Sequence, residues 1–176
     1  MVIYAPYGAY LPGGGPWHSQ SNEGDFARNP GLQVIVPSTS EDAAGLTWTA
    51  LHGEDPVIVL LPKHLLWGNH KKLDNAKGIP IGKARVVRKG AELTILAWGN
   101  CLEVVDKAMK EHGLEIDVEI IDLRSLVPWD RETVRTSLLK TGHLLIVQED
   151  TAPGSIGQMI LGELLADPEI HQALKG

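Results

Sequence analysis

The residues with chemical potential are few, and most stand apart from one another. Trp17-His18-Ser19-Gln20 follows the glycine cluster Gly13-Gly14-Gly15. An imidazole carried on a loop can take or give a proton near neutral pH, so His18 is the candidate acid–base group, with a plain surface histidine as the other reading of the bare sequence. The glycines form neither GxGxxG nor a Walker motif, and no strand runs directly into a helix start there, so a phosphate cradle is not expected. The other histidines are scattered: His52 and His112 end helices, His64 and His70 lie near the linker, His143 and His171 lack acidic or cysteine companions at ligand spacing, and no transition-metal site is readable. His112 and His143 are expected to face carbonyls at helix C-termini. Cys101 falls at a predicted helix start, which favours a thiolate, but no partner base can be named and a packed structural cysteine is expected. Glu149-Asp150 closes a strand ahead of Thr151-Ala152-Pro153-Gly154. Carboxyl ends of strands face ligand crevices in α/β sheets; a solvated turn or helix cap is the competing reading. Gly154-Ser155-Ile156-Gly157 is not the GxSxG elbow, so a serine triad has no support.

The elements that must position these residues follow a strand–helix–strand rhythm. Val34-Ile35-Val36, Val57 to Leu61, Leu93 to Ala97, Val118 to Ile121 and Leu144 to Val147 read as strands, most of them buried on both faces. Leu102, Val105, Met109 and His112 share one face of a helix ended by Gly113. Ser38 and Glu41 have capping-box spacing, ahead of a helix expected to turn Ala43, Leu46, Ala50 and Leu51 inward. Asp130 caps a helix carrying Val134 and Leu138 and stopped by Gly142; Ser155 starts another with Ile160, Leu161, Leu164 and Leu165. The alternation predicts α/β layers. Two stretches break it. Residues 4–33, rich in glycine and proline, read as a long shaped loop, and residues 62–84, with Lys71-Lys72, read as a linker. The first unit then holds two convincing strands and one helix, too few to cover both faces of a sheet.

Composition sets the frame. The chain of 176 residues, with 43% hydrophobic and 22% charged residues, can bury a core without disulfides or metals. A formal charge of −6 lacks the basic footprint of a nucleic-acid or anionic-membrane binder, and neither partner is expected. No apolar run approaches a bilayer span. One cysteine and no signal-peptide pattern fit a reducing compartment, either a bacterial cytoplasm or an organelle matrix.

Taken together, the motifs resemble a known family. Gly13-Gly14-Gly15-Pro16-Trp17-His18-Ser19-Gln20-Ser21, Phe26-Ala27, Pro30-Gly31-Leu32, Val34 to Ser38 and Asp42 to Leu46 resemble the β subunit of thiamine-diphosphate-dependent 2-oxo acid dehydrogenase E1. Asp55-Pro56-Val57-Ile58, Pro62-Lys63, Ile81 to Ala84, Ile121 to Asp130, Lys140 to His143 and Glu149-Asp150 are similar to the same subunit. The sequence HSQS followed by PGL separates this family from transketolase and deoxyxylulose-phosphate synthase.

The resemblance implies an α/β, transketolase-like architecture: residues 1–66 as the C-terminal part of a pyrimidine-binding domain, 67–84 as a linker, and 85–176 as a transketolase C-terminal domain with a mixed sheet and flanking helices. It implies a chain truncated at both ends, without the glutamate that activates the thiamine ring and without the C-terminal tail, and therefore inactive alone. The implied reaction is oxidative decarboxylation of pyruvate or a branched-chain 2-oxo acid on thiamine diphosphate with Mg, followed by acyl transfer to lipoyl-E2. Val127 to Asp130 and Glu149-Asp150 lean towards the branched-chain type. The implied partners are an E1 α subunit and a second β subunit in an α2β2 assembly, and the E2 acyltransferase with its lipoyl domain. His18 takes the role of the channel histidine that handles substrate or the lipoyl group, with Trp17 where a smaller residue is more usual. A structural potassium ion is implied near Ala50, Leu51 and Asp55, although Gly53 departs from the acidic residue common in that segment. The alternative is a non-catalytic docking or dimerisation module.

Overall fold

The computed structural model describes residues 1–10, 12–68, 77–113 and 115–175. His70 and Lys71-Lys72 of the expected linker lie outside the described residues.

Short β-branched stretches make two four-stranded sheets. In the first, β1 (Val2–Tyr7), β3 (Val57–Pro62) and β2 (Gln33–Ile35) run parallel, and β7 (Ser125–Val127) lies antiparallel on β2, in the order β1-β3-β2-β7. In the second, β6 (Val118–Asp122), β5 (Leu93–Ala97) and β8 (Leu144–Val147) are parallel and β4 (Arg85–Arg88) is antiparallel, in the order β4-β6-β5-β8. All five expected strands form. β3 and β6 are almost wholly buried, as their unbroken apolar runs predict. β8 differs: it stands at a sheet edge, and its Leu145 is 47% exposed.

The glycine-rich stretch 4–33 is more regular than expected. It finishes β1, makes a 3-10 turn over Pro16–His18, and folds a short helix α1 (Glu23–Ala27). The thin first unit is likewise corrected, since a fourth strand, β7, reaches its sheet from beyond residue 85. The stretch 62–84 opens as helix α3 (Lys63–Trp67). At its other end Ile79 packs on helix α2 (Ser40–His52), where its N–H donates to Gly45 O (3.0 Å) and its carbonyl accepts from the Thr49 hydroxyl (2.7 Å).

The cap of α2 is a second correction. Thr39, not Ser38, is the N-cap; its Oγ1 accepts from Asp42 N–H at 3.1 Å. Ser38 is buried and bridges the sheets instead: its hydroxyl donates to Asp122 (2.8 Å) and accepts from Gly99 N–H (2.9 Å). Leu46 and Ala50 point inward as the periodicity requires, Ala43 is half-buried, and Leu51 is 63% exposed because it lies off that face. Helices α4 (Cys101–His112) and α5 (Arg131–Thr141) end at left-handed Gly113 and Gly142, and Asp130 and Ser155 cap α5 and α6 (Ile156–Leu165). A last short helix, α7 (Pro168–Ala173), was not expected.

One core joins the sheets. Tyr7, Val34 and Leu60 from the first pack with Leu96, Trp98 and Ile121 from the second, under Leu138 and Ile160. A polar seam runs beside it. Arg85 reaches Asp122 (2.8 Å) and Asp42 (3.2 Å), and Arg124 reaches Asp42 (2.8 Å). Buried charges persist only when paired in this way. Burial lifts the Asp122 carboxyl to about 6, against the Ser38 hydroxyl and Arg85, which lower it.

Candidate functional site

The parallel register of β1 and β3 builds the site. It sets Tyr7 opposite Pro62, so the chain leaving β1 at Gly8 passes beside Lys63, the first residue of α3. Gly8 has φ +81°, and a Cβ there would sit 2.7 Å from Glu149 Oε2, so only glycine fits this exit. Its N–H donates to Gln20 O (3.0 Å), closing a loop whose two ends meet at the sheet. The Lys63 ammonium donates to Gly8 O (2.8 Å) and also to His18 O.

His18 therefore stands at the carboxyl ends of β1 and β3, exposed on the 3-10 turn. It lines a pocket of about 130 Å³ with Trp17, Gln20, Asn22, Pro6 and Lys63. Trp17 is 82% exposed beside it. Gln20 and Asn22 also line a larger cleft of about 410 Å³, whose far wall is Glu149 and Asp150 after β8. The sheets thus bring together two segments 128 residues apart: Ser21 Oγ lies 3.4 Å from Glu149 Oε2. Asn100 donates to the other oxygen of Glu149 at 3.3 Å. Glu149-Asp150 is accordingly a cleft wall rather than a free turn.

Sequence reasoning missed Glu23. Its side chain is fully buried; Oε1 accepts from the Tyr7 hydroxyl (2.8 Å) and Trp98 Nε1 (2.9 Å). Oε2 has no hydrogen-bond partner among the described residues. Burial holds the Glu23 carboxyl above its ordinary range, with Asp150 pushing the same way and Trp98 and Tyr7 opposing. The Tyr7 phenol is raised by burial and then by Glu23, so it stays a donor. No local motif marks such a residue, because its partners, Tyr7 at the end of β1 and Trp98 just after β5, lie 16 and 75 residues away.

The remaining candidates are elsewhere. Cys101 is buried, and burial followed by the charges of Glu149 and Glu23 pushes its thiol up to about 12, so it is packed and protonated. His52 Nδ1 meets the helix carbonyl of Trp48 (2.8 Å), whereas His143 Nδ1 meets Glu92 O (3.0 Å) in the turn before β5 rather than a helix end. Ala50 is buried near the end of α2, and Asp55 accepts from Gln33 at 3.1 Å. Among the described residues no group of three or more histidine, cysteine or acidic side chains is placed to hold a metal.

Comparison with known proteins supplies context for this geometry. Residues 82–175 match the family described as transketolase, C-terminal domain. The chain is 41% identical over 157 residues to a mitochondrial 2-oxoisovalerate dehydrogenase subunit beta of Dictyostelium discoideum, covering 88% of this chain and 42% of that protein. It is 42% identical over 151 residues to a pyruvate dehydrogenase E1 component subunit beta of Acholeplasma laidlawii, covering 85% and 46% respectively. The chain spans about half the length of the curated relatives it matches. Among solved structures, a split-gene transketolase described as an inactive beta4 tetramer superposes with TM-score 0.76 at 23% identity, over 95% of this chain and 54% of that one. A transketolase from Leishmania mexicana gives TM-score 0.61 at 23% identity over 78% of this chain and 21% of that one. These two show likeness of fold.

Proposed function

Since the chain belongs to the transketolase C-terminal domain family and is similar over most of its length to E1 β subunits, we propose that it serves as E1 β sequence in a 2-oxo acid dehydrogenase complex. In this reading residues 1–66 are pyrimidine-domain sequence and 85–176 the C-terminal domain, joined by 67–84. The complex decarboxylates pyruvate or a branched-chain 2-oxo acid and passes the acyl group to lipoyl-E2. The observation that carries the reading is the meeting of the His18 loop with the Glu149-Asp150 wall in one cleft.

The chemistry available to these residues is proton handling at an entrance. The His18 imidazole, exposed on an anchored turn, can give or take a proton as an acyl group passes, while Trp17 beside it limits the bulk admitted. Thiamine diphosphate with Mg supplies the carbanion chemistry in such complexes. The cleft does not fit a diphosphate, because Asp25, Glu149 and Asp150 line it and Arg28 is already paired with Asp25. The cofactor is therefore assigned chiefly to other parts of an α2β2 assembly, an α partner among them, and no step through it is assigned to this chain. Potassium near Ala50, Leu51 and Asp55 is carried by the family resemblance; Asp55 already accepts from Gln33, and no step is assigned to the ion. Relatives include mitochondrial and bacterial proteins, and a mitochondrial matrix or bacterial cytoplasm is the proposed setting.

The test is decarboxylation and acyl transfer to a lipoyl domain by the chain mixed with an E1 α subunit. In an active assembly His18→Ala is expected to lower acyl transfer on the order of 100-fold or more, the usual weight of a positioned acid–base group. Unchanged transfer removes His18 from the mechanism. A docking or dimerisation module is the second reading, favoured by the apolar groove of about 590 Å³ beside β8 and α6, where Leu145, Leu161 and Leu165 are exposed. Stable binding to E2 or to E1 α without any catalysis by the assembly would favour it.

A further inference from the structure

We propose that Lys63 is the positioning residue of the His18 loop: its ammonium, held at the end of β3, fixes where His18 stands. This rests on the reading of His18 given above, but it concerns geometry that can be measured without catalysis.

The argument begins with the loop. Between Gly8 and Gln20 it carries four glycines and two prolines, and its regular structure among the described residues is the 3-10 turn Pro16–His18. Such a segment gains little from its own packing, and closing it costs conformational entropy. Its attachment must come from the sheet. The Gly8 N–H to Gln20 O bond ties the two ends to each other, but it leaves His18 free to swing on the turn. Lys63 reaches the remaining point. An ammonium has three donors, and two of them here go to the carbonyls of Gly8 and His18, one on each arm of the loop. Hydrogen bonds from a charged donor are about twice as strong as neutral ones, so one side chain can hold both arms.

Lys63 is itself well anchored. Its backbone follows Pro62, which is buried and in register with Tyr7 at the end of the central strand β3. The position of the histidine is thereby referred to the most deeply buried strand of the first sheet, through a single cation. The same side chain lines the 130 Å³ pocket in which the imidazole lies.

Lys63→Met removes the charge and keeps most of the stem; Lys63→Arg keeps the charge. In Lys63→Met the ring Cε1–H signal of His18 is expected to move and broaden, with those of His112 and His143 unchanged. Chymotryptic cutting after Trp17 should speed up on the order of tenfold, as expected for loss of a charge-assisted tie. Lys63→Arg should restore both in large part. In the reconstituted assembly Lys63→Met is expected to lower kcat for acyl transfer and leave KM for the 2-oxo acid nearly unchanged. The unaltered chain offers an independent check, in which Lys63 should react with acetic anhydride more slowly than the exposed Lys107 and Lys110. An unmoved His18 signal in folded Lys63→Met, or reaction of Lys63 as fast as Lys107, overturns the proposal whatever the catalytic result. A failure of His18→Ala to affect transfer would instead remove the functional reading and leave the tether standing.

Discussion

Glu23 shows how a single carboxyl can hold a site together at a cost that depends on pH. It receives the Tyr7 hydroxyl from the first sheet and the Trp98 indole after the second, and so locks α1, which follows the His18 loop, against the core. Its folded-state pKa is raised by burial and then by Asp150. The folded protein therefore keeps this proton to higher pH than the unfolded chain does, and the associated stability is present in acid and lost as pH rises through the folded value. Asp122, lifted from 3.8 to about 6, acts in the same sense within that interval. Glu23→Gln keeps an oxygen for both donors and carries no charge to bury. It is expected to raise the melting temperature at pH 7.5 and to flatten its decline as pH rises above the ordinary carboxylate range; a lower melting temperature at pH 7.5 would contradict this assignment. At this scale the sequence was partly readable. His18 stood out by its type and its glycine neighbours, whereas Glu23 and Lys63 owe their roles to partners that only the sheet register brings near.

Among the elements, those with long apolar runs were legible and those made by their neighbours were not. β3, β5 and β6 announce themselves because both faces are buried. β1 contains Pro6, and from Tyr4 onward it falls within the stretch 4–33 that reads as loop; Pro6 is tolerated because β1 is an edge strand. β4 is mostly exposed and carries an arginine at each end, and β7 has only three residues, so neither has a period to read. The start of α2 is instructive in another way. Ser38-Thr39-Ser40 offers three hydroxyls in a row, and local rules cannot choose among them. The choice is made by Asp122, which takes Ser38 for the seam between the sheets and leaves Thr39 to cap the helix. Thr39→Ala is accordingly expected to cost about 1 kcal/mol, while Glu41→Ala changes stability by less than about 0.5 kcal/mol. Urea denaturation of the two variants checks this, and the reverse order would restore the Ser38–Glu41 box.

At the scale of the whole molecule, the two sheets are not independent bodies. β7 is covalently part of the second half yet hydrogen-bonds to β2 of the first, and the main core draws side chains from both. A protease site engineered between Gly68 and Lys77 should thus yield, after cutting, two pieces that elute together in gel filtration and separate only in denaturant; separation in native buffer would contradict the shared core. Among the described residues no helix is long and apolar enough to cross a membrane. The borrowed strand also sets an order of events during synthesis. β1, β2 and β3 emerge from the ribosome well before Ser125–Val127, so one edge of β2 stays open while some sixty residues are added after Pro62. A nascent chain in that interval presents the same backbone groups that drive strand exchange between molecules, and translation speed across that stretch becomes a determinant of how much of the protein reaches its native form.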